Sequence, residues 1–298
     1  MKIYFQPTCY ILRICYTNSD FLQLYLQIKT TIEIMWANRN FHTLKDQGLA
    51  EAPEQGSQEW LEGRKGRITG SKSGDLFFNF KKEEDWDVIL DKWFGDTVED
   101  FNDVAKSRMA WGSKHEDTAV TVILDSIPGS HFFECPQINI DEVYAVSPDG
   151  AILVLNPDNT PANHFNCEIK APGGGVGKTP EEMKAMLLKK WKQAASYYCV
   201  QIHQEMVGQN SSETLFVAWT PLLTRMWRIK FDQDFWNVAL DVLESFRLKS
   251  VPFEVMQSKI NKMKRMCWGI MNVPIFQDVE TSFDEATEEC VVKKIKKY

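Results

Sequence analysis

The sequence predicts an α/β fold. Three observations carry this. Strand-like runs rich in β-branched and aromatic residues recur at 142–156, 164–172, 214–221 and 225–231. Segments with helical apolar spacing stand before, between and after them. A chain of 298 residues, 44% hydrophobic and 12% aromatic, is long and apolar enough to bury one large core or two modest ones.

Taken in order, residues 40–58 are polar and include "EAPEQGSQ", a linker or surface loop. In "SQEWLEGRKGRITGSKSGDLF", Ser57 is a potential N-cap for a short helix, a turn follows at Gly66, and a second helix starts at Thr69 or Ser71. "DWDVILDKWFGD" has helical spacing. "SRMAWGSKHEDTAVTVIL" puts Trp111, His115 and Thr118 on one side of a helix, and Glu116, Ala119 and Val120 on a neighbouring face. A carboxylate beside an apolar face has either a partner or a metal. "EVYAVSPDGAILVLN" reads as a hairpin turning at Pro148-Asp149-Gly150, and "HFNCEIKAP" as the next strand. Thr179, Pro180 and Glu182 form a capping box with proline at the first helical position, predicting one helix from Thr179 to about Gly208. A further strand pair spans 214–231, and 232–250 is a long amphipathic helix. The tail is charged and ends in "KKIKKY".

The formal charge of -7 argues against a generally basic nucleic-acid coat, so any DNA contact must be local and assisted by cations. Seven scattered cysteines with no C-x-x-C pair argue against a structural zinc or iron–sulfur site and suggest a reducing, intracellular compartment. The five histidines show no ligand spacing. No run of about 18 apolar residues indicates a membrane helix. Residues 1–34 are apolar and aromatic but broken by Pro7, Arg13 and "TNSD", which suits a packed extension better than a signal peptide. Met35 is an alternative start.

The stretch "CEIKAPGGGVGKTP" holds two candidate chemistries. A phosphate loop requires its first glycine at position 172, which is Pro172, a residue with fixed φ and no N–H to offer a phosphate. The glycines read instead as a bridge into the helix capped by Thr179. The chemistry falls on the first half. Period-2 geometry sets Glu168 and Lys170 on one strand face, with Cys167 and Ile169 on the other. An antiparallel neighbour can bring Asp149 beside them. Two carboxylates together need a cation or a proton, and hard oxygen ligands suit Mg²⁺ or Mn²⁺. Lys170 then stands where it can orient a metal-bound water for phosphodiester hydrolysis.

"SPDG" followed by "EIK" resembles the PD-(D/E)XK nuclease core, and the flanking motifs resemble the lambda-exonuclease or YqaJ-type viral recombinase branch. "WLEGRKGRITGS" is similar to the branch's amino-terminal motif, which implies that Arg64 and Ser71 hold a DNA 5′-phosphate. Gly70 replaces the alanine usual there. "MAWGSKHED" is similar to the helix supplying an extra acidic ligand, here Glu116, and "YYCVQIHQEM" to the final helix motif, whose glutamine is Gln201. The resemblance spans about 57–230 in the family's order. It implies a central mixed β-sheet flanked by helices. It also implies Mg²⁺ (or Mn²⁺) held by Asp149, Glu168, Glu116 and the Ile169 carbonyl. Lys170 positions the water, and Gln201 supports Lys170 or the water. The implied activity is 5′-to-3′ digestion of one strand of linear duplex DNA, leaving a 3′ overhang for a strand-annealing partner. Some relatives are ring-shaped trimers, and the link to viral recombination suggests a virus or phage protein acting inside a host cell.

Alternatives from other classes are an endonuclease of the same core, a DNA-binding scaffold without catalysis, and the phosphate-loop ATPase. The expected organisation is an extension over 1–50, the exonuclease domain over 51–260 and a charged extension over 261–298. His115, beside Glu116, is a candidate for tuning the site, and Trp60, near Arg64, for stacking on a terminal base.

Overall fold

A computed structural model of the chain describes residues 41–53, 55–95, 102–172, 177–284 and 286–298. Its strands are β1 (Phe41–His42), β2 (Ile68–Thr69), β3 (Ser130–Glu134), β4 (Ile138–Asn139), β5 (Tyr144–Val146), β6 (Gly150–Leu155), β7 (Pro161–Lys170), β8 (Glu213–Thr220), β9 (Leu223–Lys230), β10 (Gln277–Asp284) and β11 (Glu289–Lys297). Its α-helices are α1 (Gln58–Gly63), α2 (Gly70–Ser73), α3 (Asp75–Phe78), α4 (Asp85–Phe94), α5 (Asp103–Ser126), α6 (Pro180–Lys190), α7 (Cys199–Gln209), α8 (Gln233–Arg247) and α9 (Phe253–Met271).

Among the described residues, eight strands form one sheet in the order β1-β3-β6-β7-β8-β9-β10-β11. The β1/β3 and β7/β8 pairs are parallel and the rest antiparallel, so the sheet is mixed. A parallel β7/β8 pair needs a crossover, which α6 and α7 supply. Side-chain alternation divides the two faces. Phe165, Cys167 and Ile169 of β7 join Leu215, Val217 and Trp219 of β8 in a core closed by Ala119, Val120 and Ile123 of α5. On the other face Phe216, Trp227 and Ile229 pack against α7, α8 and α9 through Ile202, Met206, Leu243 and Met263. Each such buried side chain stabilises the fold by about 1.5–3 kcal/mol of transfer free energy. Helices thus flank both sides of the sheet, as expected.

Local signals behave as their chemistry dictates. Ser57 Oγ accepts from the Trp60 amide at the start of α1, and Gly66 takes φ +67° in the turn after it. Thr179 and Glu182 make both bonds of the capping box. The residues on either side of that bridge are described, but 173–176 of the glycine run lie outside the described residues, as do residues 1–40 with Met35.

Three expectations change. The stretch 142–156 is not a hairpin: β5 belongs to a small sheet ordered β2-β5-β4, whereas β6 pairs with β3 and β7. The turn at 147–149 carries the chain from one sheet to the other. Gly150 is required there because a Cβ would lie 2.1 Å from the Phe132 ring. The helix expected from Thr179 to Gly208 is two helices. The chain breaks after Lys190, where the Trp191 indole lies flat on Phe216 at 6.1 Å and its carbonyl accepts from Arg225 Nη1 at 2.9 Å, then turns through a 3₁₀ segment, Ser196–Tyr198. Lastly, residue 261 falls within α9, and the tail beyond it contributes β10 and β11 to the main sheet, with β10 paired to β9. From the expected extension over 1–50, β1 adds to the opposite edge, beside β3.

Candidate active site

The register of β6 against β7 opposes Gly150 to Cys167, which delivers Asp149 next to Glu168. Asp149 Oδ2 accepts from the Ile169 amide at 2.6 Å. Glu168 is fully buried, and its Oε1 pairs with the Lys170 ammonium and accepts from Gln201 Nε2 at 2.6 Å. Glu116 reaches the group from α5. Burial, then the charge of Glu168, raises its carboxyl to about 7. Burial, then Glu168 and Glu116, pushes Asp149 well above the usual carboxylate range. Burial opposes the charged form of Lys170, yet Glu168 and Asp149 outweigh it and hold the ammonium above its ordinary range.

The donor set, carboxylate oxygens without sulfur or imidazole, is of the chemistry that a hard divalent cation takes. The charges of Glu168 and Glu116 both reach Asp149, and Glu168 Oε2 is buried with no hydrogen-bond partner among the described residues. Among those residues no group of three or more His, Cys, Asp or Glu is already drawn together at ligand distances. Two ligand atoms are engaged otherwise: Glu168 Oε1 by Lys170 and Gln201, and Asp149 Oδ2 by the Ile169 amide. The Ile169 carbonyl, expected as a ligand, lies in the β7 backbone between Glu168 and Lys170.

Gln201 sits on α7 with its amide nitrogen on Glu168 Oε1 and on Glu205 Oε1, at 2.6 and 2.8 Å. Its contact is therefore with the carboxylates. Lys170 and Gln201 Nε2 are both donors, so they converge on the same oxygen and do not bond each other. Glu205 is a residue that sequence reasoning missed. It is almost fully buried, accepts a second amide from Asn166 Nδ2 at 3.2 Å, and is pushed well above its ordinary range by burial and then by Glu168. Its only sequence signal is a single acid four residues after Gln201, on the same face of a helix that is otherwise buried. Glu205→Gln should lower turnover about tenfold with the fold retained, because Glu205 holds Gln201, which in turn holds the Glu168 carboxylate. Steady-state kinetics beside circular dichroism checks this, and unchanged kinetics removes Glu205 from the site.

Arg64 and Ser71 are brought together on the small sheet's side. Arg64 donates to Ser147 Oγ from Nη1 at 3.0 Å and to Thr69 Oγ1 and Ser71 Oγ from Nη2, both at 3.1 Å. The Trp60 ring lies 4.1 Å beneath the guanidinium. Burial draws Arg64 down to about 10, with Glu205 opposing, so it remains charged at neutral pH. A half-buried guanidinium surrounded by hydroxyls has the donors that an anion would need. Thr69 and Ser147 join the expected pair. Ser71 is not an N-cap, since Thr69 holds that position and α2 is only four residues long. Two contacts tie this pocket to the carboxylates. Gln204 Nε2 donates to the Ile68 and Ala145 carbonyls at 2.9 and 3.1 Å, and Gly70 lies against Gln201, where a Cβ would meet Cγ at 3.0 Å. Glycine, in place of alanine, relieves that contact.

His115 is turned away from the acids. Its ring packs between Trp111 at 4.1 Å and Trp219 at 5.0 Å, with Phe283 edge-on, so it belongs to the core behind α5. Among the described residues no helix is long and apolar enough to cross a membrane.

A family model for the YqaJ-like viral recombinase domain matches residues 59–208. All of the site residues named above fall inside that span. Among solved structures, the crystal structure of an alkaline exonuclease (LHK-Exo) from Laribacter hongkongensis is similar at 17% identity and a TM-score of 0.46, covering 72% of this chain and 99% of that chain. No curated protein matches.

Proposed function

Because the chain belongs to the YqaJ-like viral recombinase domain family, we propose that it is a divalent-metal-dependent deoxyribonuclease, a 5′-to-3′ exonuclease on linear double-stranded DNA. The single observation that supports this most is the meeting of two sites. The Asp149–Glu168–Lys170 cluster is joined through Gln201 to a hydroxyl-lined guanidinium pocket at Arg64. A nuclease that starts at a chain end needs both, one to cut and one to hold the terminal phosphate.

Asp149, Glu168 and Glu116, with the Ile169 carbonyl, would hold Mg²⁺ or Mn²⁺. Such a cation, when bound, supplies an acidified water and a counter-charge for the phosphodiester. The chain's own groups do the rest. Lys170 Nζ donates to the attacking oxygen and offsets charge on the scissile phosphate, next to Glu168. Gln201 fixes the Glu168 carboxylate. Arg64, Ser71, Thr69 and Ser147 hold the 5′-phosphate, so the first phosphodiester along the strand is the one presented. In this reading the product is duplex with a 3′ overhang, the substrate of a strand-annealing protein.

End-labelled linear duplex with a 5′-phosphate, incubated with Mg²⁺ or EDTA beside a covalently closed circle, tests this. Mg²⁺-dependent mononucleotide release from the 5′ end, with the circle intact, is expected. Cutting of the circle would make the enzyme an endonuclease of the same fold, and no cutting with any divalent metal would leave a DNA-binding scaffold. Arg64→Ala should erase the preference for a 5′-phosphate over a 5′-hydroxyl end, about tenfold or more for a charge-assisted contact. An equal loss on both ends would contradict its role.

A further inference from the structure

A row of aromatic rings runs outward from Lys170. Lys170 Nζ lies 5.1 Å from the Tyr198 ring, Tyr197 is 4.2 Å from Tyr198, and Phe78, at the end of α3, meets Tyr197 edge-on at 5.2 Å. The inner end is rigid, because Tyr198 is backed by Phe216 at 5.5 Å and Trp191 at 6.4 Å. The outer end is open: Phe78 is 53% exposed. Beyond it Phe77, 6.5 Å from Phe78, carries the Lys264 ammonium 5.7 Å from its ring. That ammonium also donates to the Phe77 carbonyl at 2.9 Å, which fixes it beside the outer rings.

We propose that Phe78, Tyr197 and Tyr198 form a stacking platform for the unpaired bases of single-stranded DNA, continuous with the catalytic centre. The proposal rests on the nuclease reading above. An enzyme that shortens one strand leaves unpaired bases beside its active site, and these bases have apolar faces that water covers poorly. Every base has a π-face, so aromatic stacking tolerates any sequence, as an exonuclease requires. The Lys264 ammonium at the outer end suits an accompanying phosphate, and the inner end touches the residue assigned to the cut.

The test is fluorescence anisotropy in EDTA with a blunt duplex and with the same duplex carrying a single-stranded 3′ or 5′ tail. The wild type should bind a tailed duplex about tenfold or more tightly than the blunt one. The polarity of the better tail identifies the strand held. Phe78→Ser with Tyr197→Ser should erase the difference and keep the blunt affinity. Phe78→Leu with Tyr197→Leu keeps apolar bulk without the π-face, and should erase it as well. Equal binding of tailed and blunt duplex by the wild type overturns the platform, as does a leucine variant that still prefers the tail. In parallel, the wild type is assayed with Mg²⁺. Tail preference without any nucleotide release would sink the exonuclease reading and leave the platform standing, and release without tail preference would do the reverse.

Discussion

Lys170→Ala should lower turnover by about a thousandfold, the upper end of what one preorganised electrostatic group contributes, while DNA binding is largely kept. The reason lies in where the ammonium sits. It is paired with Glu168, held charged by Glu168 and Asp149, and backed by the Tyr198 ring. A charge so placed helps mainly where negative charge develops during hydrolysis, not where the duplex is gripped. The Arg64 pocket lies on a different element and is untouched by the change. Single-turnover cleavage with Mg²⁺, beside affinity measured in EDTA, separates the two. Retained turnover would remove Lys170 from the mechanism, and parallel loss of binding would make it a gripping residue. Lys170→Met gives the sharper control, since it keeps the length and apolar bulk beside Tyr198 and loses the ammonium with its charge and donors.

Asp278→Ala is expected to destabilise the fold by about 3–5 kcal/mol, because it strands a buried guanidinium. Arg225 Nε and Nη2 donate to the two oxygens of Asp278, both at 2.7 Å, and both side chains are buried. Tyr298 adds its hydroxyl to Asp278 Oδ2 at 3.0 Å. The remaining Arg225 nitrogen, Nη1, binds the Trp191 carbonyl, where the crossover breaks. Loss of Asp278 thus loosens the tail strands and the turn that delivers Tyr198 to Lys170. The urea midpoint reads the effect. A shift corresponding to less than about 1 kcal/mol would mean that Arg225 finds water on its own, as exposed pairs do. Replacing both partners, Arg225→Met with Asp278→Leu, should recover most of the loss.

Much of the site was legible because its residues are neighbours along one strand or belong to an ordered set of motifs. Asp149, Glu168 and Lys170 follow from strand periodicity and a single antiparallel pairing, and the structure places them together. Glu205 was not legible. A lone acid in a buried helix has many explanations, and only the positions of Asn166 and Gln201, known from the fold, reveal its two amide partners. The break at Trp191 was hidden for a related reason. The local pattern is helical throughout, and what stops it is Arg225 and Phe216, more than twenty residues later in sequence. The turn at 147–149 could be read as a turn, yet turn chemistry does not say which sheet the chain enters next. Likewise "VVKKIKK" looked like a charged tail because most of its residues face solvent, even though its backbone pairs with β10.

That last strand also bears on solubility. β11 closes one side of the sheet, and among the described residues no strand pairs with its outer backbone groups, a row of donors and acceptors onto which another chain could add. Lys293, Lys294, Lys296 and Lys297 are all exposed along it. A second copy docking edge to edge in antiparallel fashion would bring ammonium against ammonium at successive positions, across strands less than about 5 Å apart. The lysines that make this segment look unstructured in sequence therefore disfavour edge-to-edge extension of the sheet at β11.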